Sequence, residues 1–205
     1  MDENGRGSGT PRPGGRTARV RANVLRAAAD ALVELGLAHL DLADVARRAG
    51  VGKTTVYRRW GSTVALVADL LTEMAQESVP RTETGTLLGD LRANAELVRR
   101  TLCDPRQGAL FTAMIAAATW DGPTAHALRG FYETRIAEWA PCVTQAIDRG
   151  EVPAGTDPDE VIRAVCAPLY YRLLTHGELP DALAADRAAL AAAAAARAGA
   201  YLASS

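Results

Sequence analysis

The stretch GVGKTTVYRRW, residues 50–60, holds the side chains of this chain best suited to chemistry. Two chemistries compete for it. Gly52-Lys53-Thr54 matches the end of a phosphate-binding loop, G-x-x-x-x-G-K-[ST], whose backbone N–H groups wrap around nucleotide phosphates. The first glycine of that motif falls on residue 47, which is Arg. The glycine-rich variant of the loop meets Arg48-Ala49, where a bulky cation and a Cβ obstruct the backbone path. Such a loop also follows a buried strand, whereas Leu42, Val45, Ala46 and Ala49 recur at helical spacing just before it. The second chemistry is DNA recognition. Lys53, Arg58 and Arg59 supply cations, Thr54 and Thr55 supply methyl and hydroxyl groups, and Tyr57 supplies a phenol. On a helix lying in a major groove, Arg or Lys can bond guanine O6 and N7, and a threonine methyl can touch the thymine methyl. Tyr57 and Arg59 are better placed for phosphates.

These residues need short elements to hold them. A helix is predicted over about 17–35, on a stripe of Val20, Val24, Ala28, Ala31 and Leu35, with Gly36 ending it. Asp41 is a good N-cap for a second helix, and Asp44 partly completes a capping box. Gly50 ends that helix where a positive φ is needed. A third short helix runs from near Gly52 through Arg59 with Val56 facing inward. Gly61-Ser62 closes it, and Ser62 caps a fourth helix bearing Val64, Val67, Leu71 and Met74. Two short helices joined by AGVG form a helix-turn-helix. Ahead of them, Arg16, Arg19 and Arg21 lie on an arm that either enters a minor groove or stays a solvated tail. Residues 1–15, rich in Gly and Pro, are expected to be disordered.

At this point the residues resemble a known family. Residues 40–67, LDLADVARRAGVGKTTVYRRWGSTVALV, are similar to the DNA-binding domain of the tetracycline-repressor (TetR) family of bacterial transcription regulators. The family pattern is met by Asp41, Asp44-Val45-Ala46, Ala49-Gly50-Val51, Lys53, Tyr57, Trp60 and Gly61-Ser62. The strong match covers about residues 18–70. Two positions depart. Gly52 stands where the family often has Ser, so a hydroxyl is lost. Thr63 stands where it often has Lys, so a phosphate contact at the start of the fourth helix is weakened. The resemblance implies a double-stranded DNA operator as partner, bound through the Arg16–Arg21 arm, Asp41, the Lys53–Arg59 helix and Thr63.

Composition agrees with an all-α chain. Of 205 residues, 48% are hydrophobic; alanine is abundant and aromatics are few. Residues 1–60 carry eleven Lys and Arg against six Asp and Glu, while 61–205 carry twelve against eighteen. A basic head on an acidic body suits a head that meets a polyanion. Cys103, Cys142 and Cys166 are scattered, and His39, His126 and His176 do not cluster with them. No metal or cofactor is therefore expected, and the thiols read as reduced, in a cytoplasmic protein. No apolar run reaches the roughly 20 residues of a membrane span.

The division expected is an arm over 1–15, a helix-turn-helix domain over 16–62, and a helical domain over 63–205. In the last, Asp104-Pro105, Gly122-Pro123 and Gly150 punctuate successive stripes. Pro141 is expected to kink or split one helix, and Pro168 to bend another. Asp157-Pro158-Asp159-Glu160 starts the helix carrying Ile162, Val165, Leu169 and Leu173. The resemblance implies homodimerisation through about 157–176 and 180–202, and a small-molecule effector held among the middle helices. Phe111, Met114, Trp120, Phe131, Trp139 and Tyr170 either line such a pocket or are ordinary core. Arg135 is either its polar group or a surface ion pair. The function expected is an effector-responsive repressor rather than an enzyme. An interaction protein whose helix-turn-helix no longer reads DNA remains a rival, and so does a nucleotide hydrolase using Gly52-Lys53-Thr54.

Overall fold

A computed structural model describes residues 14–76 and 81–203. Ten α-helices follow one another in it, and no strand occurs among the described residues. Contacts divide the chain into two compact units, Met1–Leu66 and Val67–Ser205, with the boundary after the first turn of the fourth helix.

The first unit contains α1 (Gly14–Leu35), a 3-10 turn (Leu37–His39), α2 (Leu42–Arg48), α3 (Lys53–Trp60) and the start of α4 (Thr63–Gln76). Helix α1 begins earlier than its apolar stripe suggested. Arg16, Arg19 and Arg21 therefore stand on its first turns, not on an arm leading into it. Residues 1–13, the bulk of the expected disordered tail, lie outside the described residues. The buried face of α1 is Val24, Leu25, Ala28, Ala31 and Leu32; Leu35, assigned to the stripe from its spacing, is exposed at the helix end. Asp41 caps α2 by accepting the Asp44 N–H at 2.9 Å. Ser62 caps α4 in the same manner, accepting the Ala65 N–H at 3.1 Å. Between α2 and α3, Gly50 adopts φ 67°, a left-handed conformation that a side chain would strain.

The second unit holds α5 (Leu87–Cys103), α6 (Pro105–Ala118), α7 (Gly122–Trp139), α8 (Pro141–Asp148), α9 (Pro158–His176) and α10 (Ala182–Arg197). Proline position explains its punctuation. Pro141 splits α7 from α8, since its ring removes the N–H a continuous helix needs. Pro105 and Pro158 sit at first-turn positions, where no such N–H is missed, behind the N-caps Asp104 and Asp157. Pro168 lies within α9, which continues through it to His176.

The core of this unit gathers Leu87, Leu91, Ala95 and Leu102 of α5, Val161, Ile162, Val165 and Leu169 of α9, and seven alanines of α10. Those alanines, 184, 185, 188, 189, 192, 193 and 196, alternate in adjacent pairs along the helix. Small side chains on both flanks of one face let α10 lie close to α5 and α9 together. Past α10 the chain turns back. Ala203 N–H donates to the Gly155 carbonyl at 3.0 Å, and Asp157 N–H to that of Tyr201 at 2.7 Å. Glu151 ties the same end together: it pairs with Arg149 at 2.7 Å and accepts the Leu87 N–H at 3.0 Å.

Candidate nucleic-acid interface

The face that could meet DNA is built from α2 and α3. Val45 and Ala46 of α2 and Val56 and Trp60 of α3 are buried, so the two helices are locked by apolar contact. Ala46 is fully buried, and its small side chain permits the close approach. Around the rest of α3, Lys53, Thr54, Tyr57, Arg58 and Arg59 are exposed; Thr55 is half-buried. The residues singled out by spacing thus come together on one short helix.

The cations around them are not equivalent. Arg48 pairs with Asp44 and Glu34, each at 2.6 Å, and Arg47 also bonds Asp44. These guanidinium groups hold the Asp44 carboxyl below the usual carboxylate range, the Arg48 hydrogen bond contributing most. Arg59 lays its guanidinium over the Trp60 ring, 5.2 Å from the centroid. Lys53 and Arg58 carry no ion pair or hydrogen bond among the described residues. Gly52 precedes α3 with no side-chain cap; the Thr55 N–H donates to the Gly52 carbonyl at 2.9 Å, which leaves the Lys53 and Thr54 N–H groups open to an outside acceptor.

Other expected DNA contacts fall elsewhere. Asp41 is occupied as the α2 cap, a structural role. Asp41→Ala is expected to cost about 1 kcal/mol, read as a fall in thermal midpoint with the Lys53–Arg59 face unaltered. Thr63 is half-buried at the first position of α4. Arg19 is exposed on α1, Arg21 is half-buried, and the Arg16 side chain lies outside the described ones. The phosphate-loop alternative fails on structure: a helix, Leu42–Arg48, precedes Gly52-Lys53-Thr54 where a strand is required.

In the second unit the expected pocket residues separate. Phe111, Phe131 and Tyr170 join one aromatic chain, in which Tyr132, not among the expected pocket residues, is the link. Ring centroids stand 5.3 Å apart for Phe111–Phe131 and Phe131–Tyr132, and 5.7 Å for Tyr132–Tyr170, the last two edge to face. Met114 is buried on the same helix as Phe111. Trp139 does not join them; it packs in the α5–α8–α9–α10 core. Trp120 is 64% exposed at the end of α6, so neither reading made for it, pocket or core, fits. Arg135 pairs with Glu138 at 2.9 Å, as its ion-pair reading expected, yet is only 21% exposed. Near this chain of rings, Cys166 donates to the Asn94 side-chain oxygen at 3.2 Å. Burial pushes the Tyr132 phenol and the Cys166 thiol each up to about 12, and Tyr170 well above the usual phenol value. All three stay neutral and able to donate a hydrogen bond.

A buried-core helix pair presenting a cationic outer helix defines a helix-turn-helix DNA-binding unit. Family profiles agree. Residues 24–70 match bacterial regulatory proteins of the tetR family, and residues 81–198 match the tetracyclin repressor-like C-terminal domain. The chain belongs to the TetR family and is a DNA-binding transcription regulator. Among its relatives, the transcriptional regulator AqdR of Rhodococcus erythropolis is 32% identical over 162 residues, covering 78% of this chain and 77% of AqdR. The DNA-binding transcriptional repressor TetR of Mycobacteroides abscessus is 31% identical over 165 residues, covering 78% and 85%. The solved TetR-family regulator SCO0332 superposes with TM-score 0.68 at 29% identity, over 86% of this chain and 97% of that one. SmeT in complex with triclosan shares the fold at TM-score 0.64 and 21% identity, over 84% and 90%.

Proposed function

We propose that the protein is an effector-responsive repressor that binds an inverted-repeat operator as a homodimer, in the compartment that holds its DNA. The observation that carries this reading is α3: an eight-residue helix with Val56 and Trp60 buried and its cations Lys53, Arg58 and Arg59 exposed. Lys53, with the uncapped N-terminus of α3, takes a phosphate; Arg59, braced on Trp60, takes another from the opposite flank. The test is operator affinity against salt. Lys53→Ala is expected to flatten the log–log slope by about one unit. An unchanged slope would remove Lys53 from the phosphate contacts.

The dimer reading rests on what α9 and α10 leave outside. Tyr171 and Leu174 of α9 are 61% and 43% exposed, and Leu183 and Leu190 of α10 are 53% and 42% exposed. On α10 these leucines share an outward stripe with Arg187, Ala191 and Ala194. Two copies of such a face, related by a two-fold axis, bury it, and a dimer supplies the two recognition helices that an inverted repeat needs. The effector reading rests on the Phe111–Phe131–Tyr132–Tyr170 rings beside Arg135, an apolar setting with a few polar groups. A hundredfold release of DNA needs the effector to favour the released state by about 2.7 kcal/mol.

A further inference from the structure

From the burial pattern of α3 we infer that Thr54 and Arg58 are the base-reading pair of this regulator, and that each operator half-site carries a guanine that Arg58 selects. The inference deepens the regulator reading and rests on it. A helix turns about 100° per residue. Arg58 stands two residues from each buried position, Val56 and Trp60, so it lies about 200° from both. Thr54 is likewise two residues from Val56, one turn before Arg58 on the same ridge. Every other candidate on α3 lies nearer the buried side. Lys53 and Tyr57 fall on one flank, and Thr55, half-buried, and Arg59 on the other. When α3 enters a groove with its buried side toward the protein, the Thr54–Arg58 ridge is what the base edges meet.

The competition among cations sharpens this assignment. Arg47 and Arg48 are held by carboxylates, and Arg59 is drawn sideways across Trp60. Arg58 makes no ion pair or hydrogen bond among the described residues, so its planar guanidinium is available for a two-pronged bond. In the major groove that fork matches guanine O6 and N7, the one base edge with two acceptors side by side. The Thr54 methyl suits the thymine 5-methyl group. One helical turn advances about 5.4 Å and one base step about 3.4 Å, so the thymine lies one or two steps from the guanine.

The test begins by selecting bound duplexes from a random DNA pool with the full-length protein and with Arg58→Ala. The wild type is expected to enrich an inverted repeat with one invariant guanine per half-site. Arg58→Ala is expected to lose preference at that position alone, with operator affinity down about tenfold to a hundredfold. Replacing that guanine by 7-deazaguanine, which lacks the N7 acceptor, should weaken the wild type and leave Arg58→Ala unaffected. Exchanging the neighbouring thymine for uracil should weaken the wild type severalfold and Thr54→Ser little. Circular dichroism of both variants checks that they remain folded. A retained guanine preference in Arg58→Ala, with uniform weakening and a flatter salt slope, would assign Arg58 to a phosphate. That outcome overturns the inference and leaves the regulator reading intact, as does a selected motif without guanine. Failure of the wild type to enrich any motif would instead strike the regulator reading itself.

Discussion

Leu183→Glu combined with Leu190→Glu is expected to yield a folded monomer whose operator affinity is lower by about a hundredfold to ten-thousandfold. Both side chains lie on the outward stripe of α10, and neither belongs to the core that α10 forms with α5 and α9. In an interface related by a two-fold axis each substitution is met by its own copy, so four carboxylates enter one apolar contact. Each protomer then engages one half-site without the high local concentration its partner provided. Sedimentation velocity reads the monomer, thermal melting reads the intact fold, and anisotropy reads the affinity. A variant that sedimented as a dimer would move the interface elsewhere on the molecule.

The second large effect concerns a glycine. Gly108 lies in the first turn of α6, where a Cβ would collide with the Leu102 carbonyl oxygen. The clash is with backbone, so no rotamer change relieves it, and α6 must shift away from the end of α5. Gly108→Ala is expected to destabilise the protein by at least about 1–3 kcal/mol. At roughly 2–4 °C per kcal/mol for a chain of this size, the midpoint falls by several degrees. Gly130→Ala is the control of opposite sign. Gly130 is exposed within α7, and its Cβ would meet nothing within 4 Å. Alanine there lowers the entropy of the unfolded chain and raises stability by about 0.5–1 kcal/mol. Equal effects of the two substitutions would mean that the α5–α6 corner yields more easily than its geometry indicates. The shift of α6 also moves Phe111 relative to Phe131, so Gly108→Ala is expected to blunt an effector response more than DNA binding.

The helix-turn-helix was legible in the sequence because its chemistry is local. Asp41, Gly50, Gly61 and Ser62 each fix a cap or a turn through their own backbone or side chain, so their spacing alone dictates α2, α3 and the start of α4. The start of α1 was not legible, since no apolar stripe reaches back to Gly14. Its other end misled in the opposite sense: Leu35 continues the spacing, yet it lies exposed at the end of α1. Periodicity says that a helix has an apolar face without saying what meets it. That limit also governed α10, whose seven buried alanines face α5 and α9 while Leu183 and Leu190 turn outward. The aromatic residues show it most plainly. Trp120, Trp139 and Phe131 look alike in sequence, and the fold sends one to solvent, one to the core and one beside Tyr132. Which ridge of α3 reads bases likewise needed the burial of Trp60, which residue types alone did not supply.

Whether two copies of α3 read the two halves of one operator is measured by titrating the protein onto the duplex selected from random DNA, at concentrations well above Kd, and counting protomers per duplex. Two protomers per inverted repeat are expected, with binding lost when one half-site is moved by half a helical turn. One protomer per duplex, or binding indifferent to half-site spacing, would contradict that expectation.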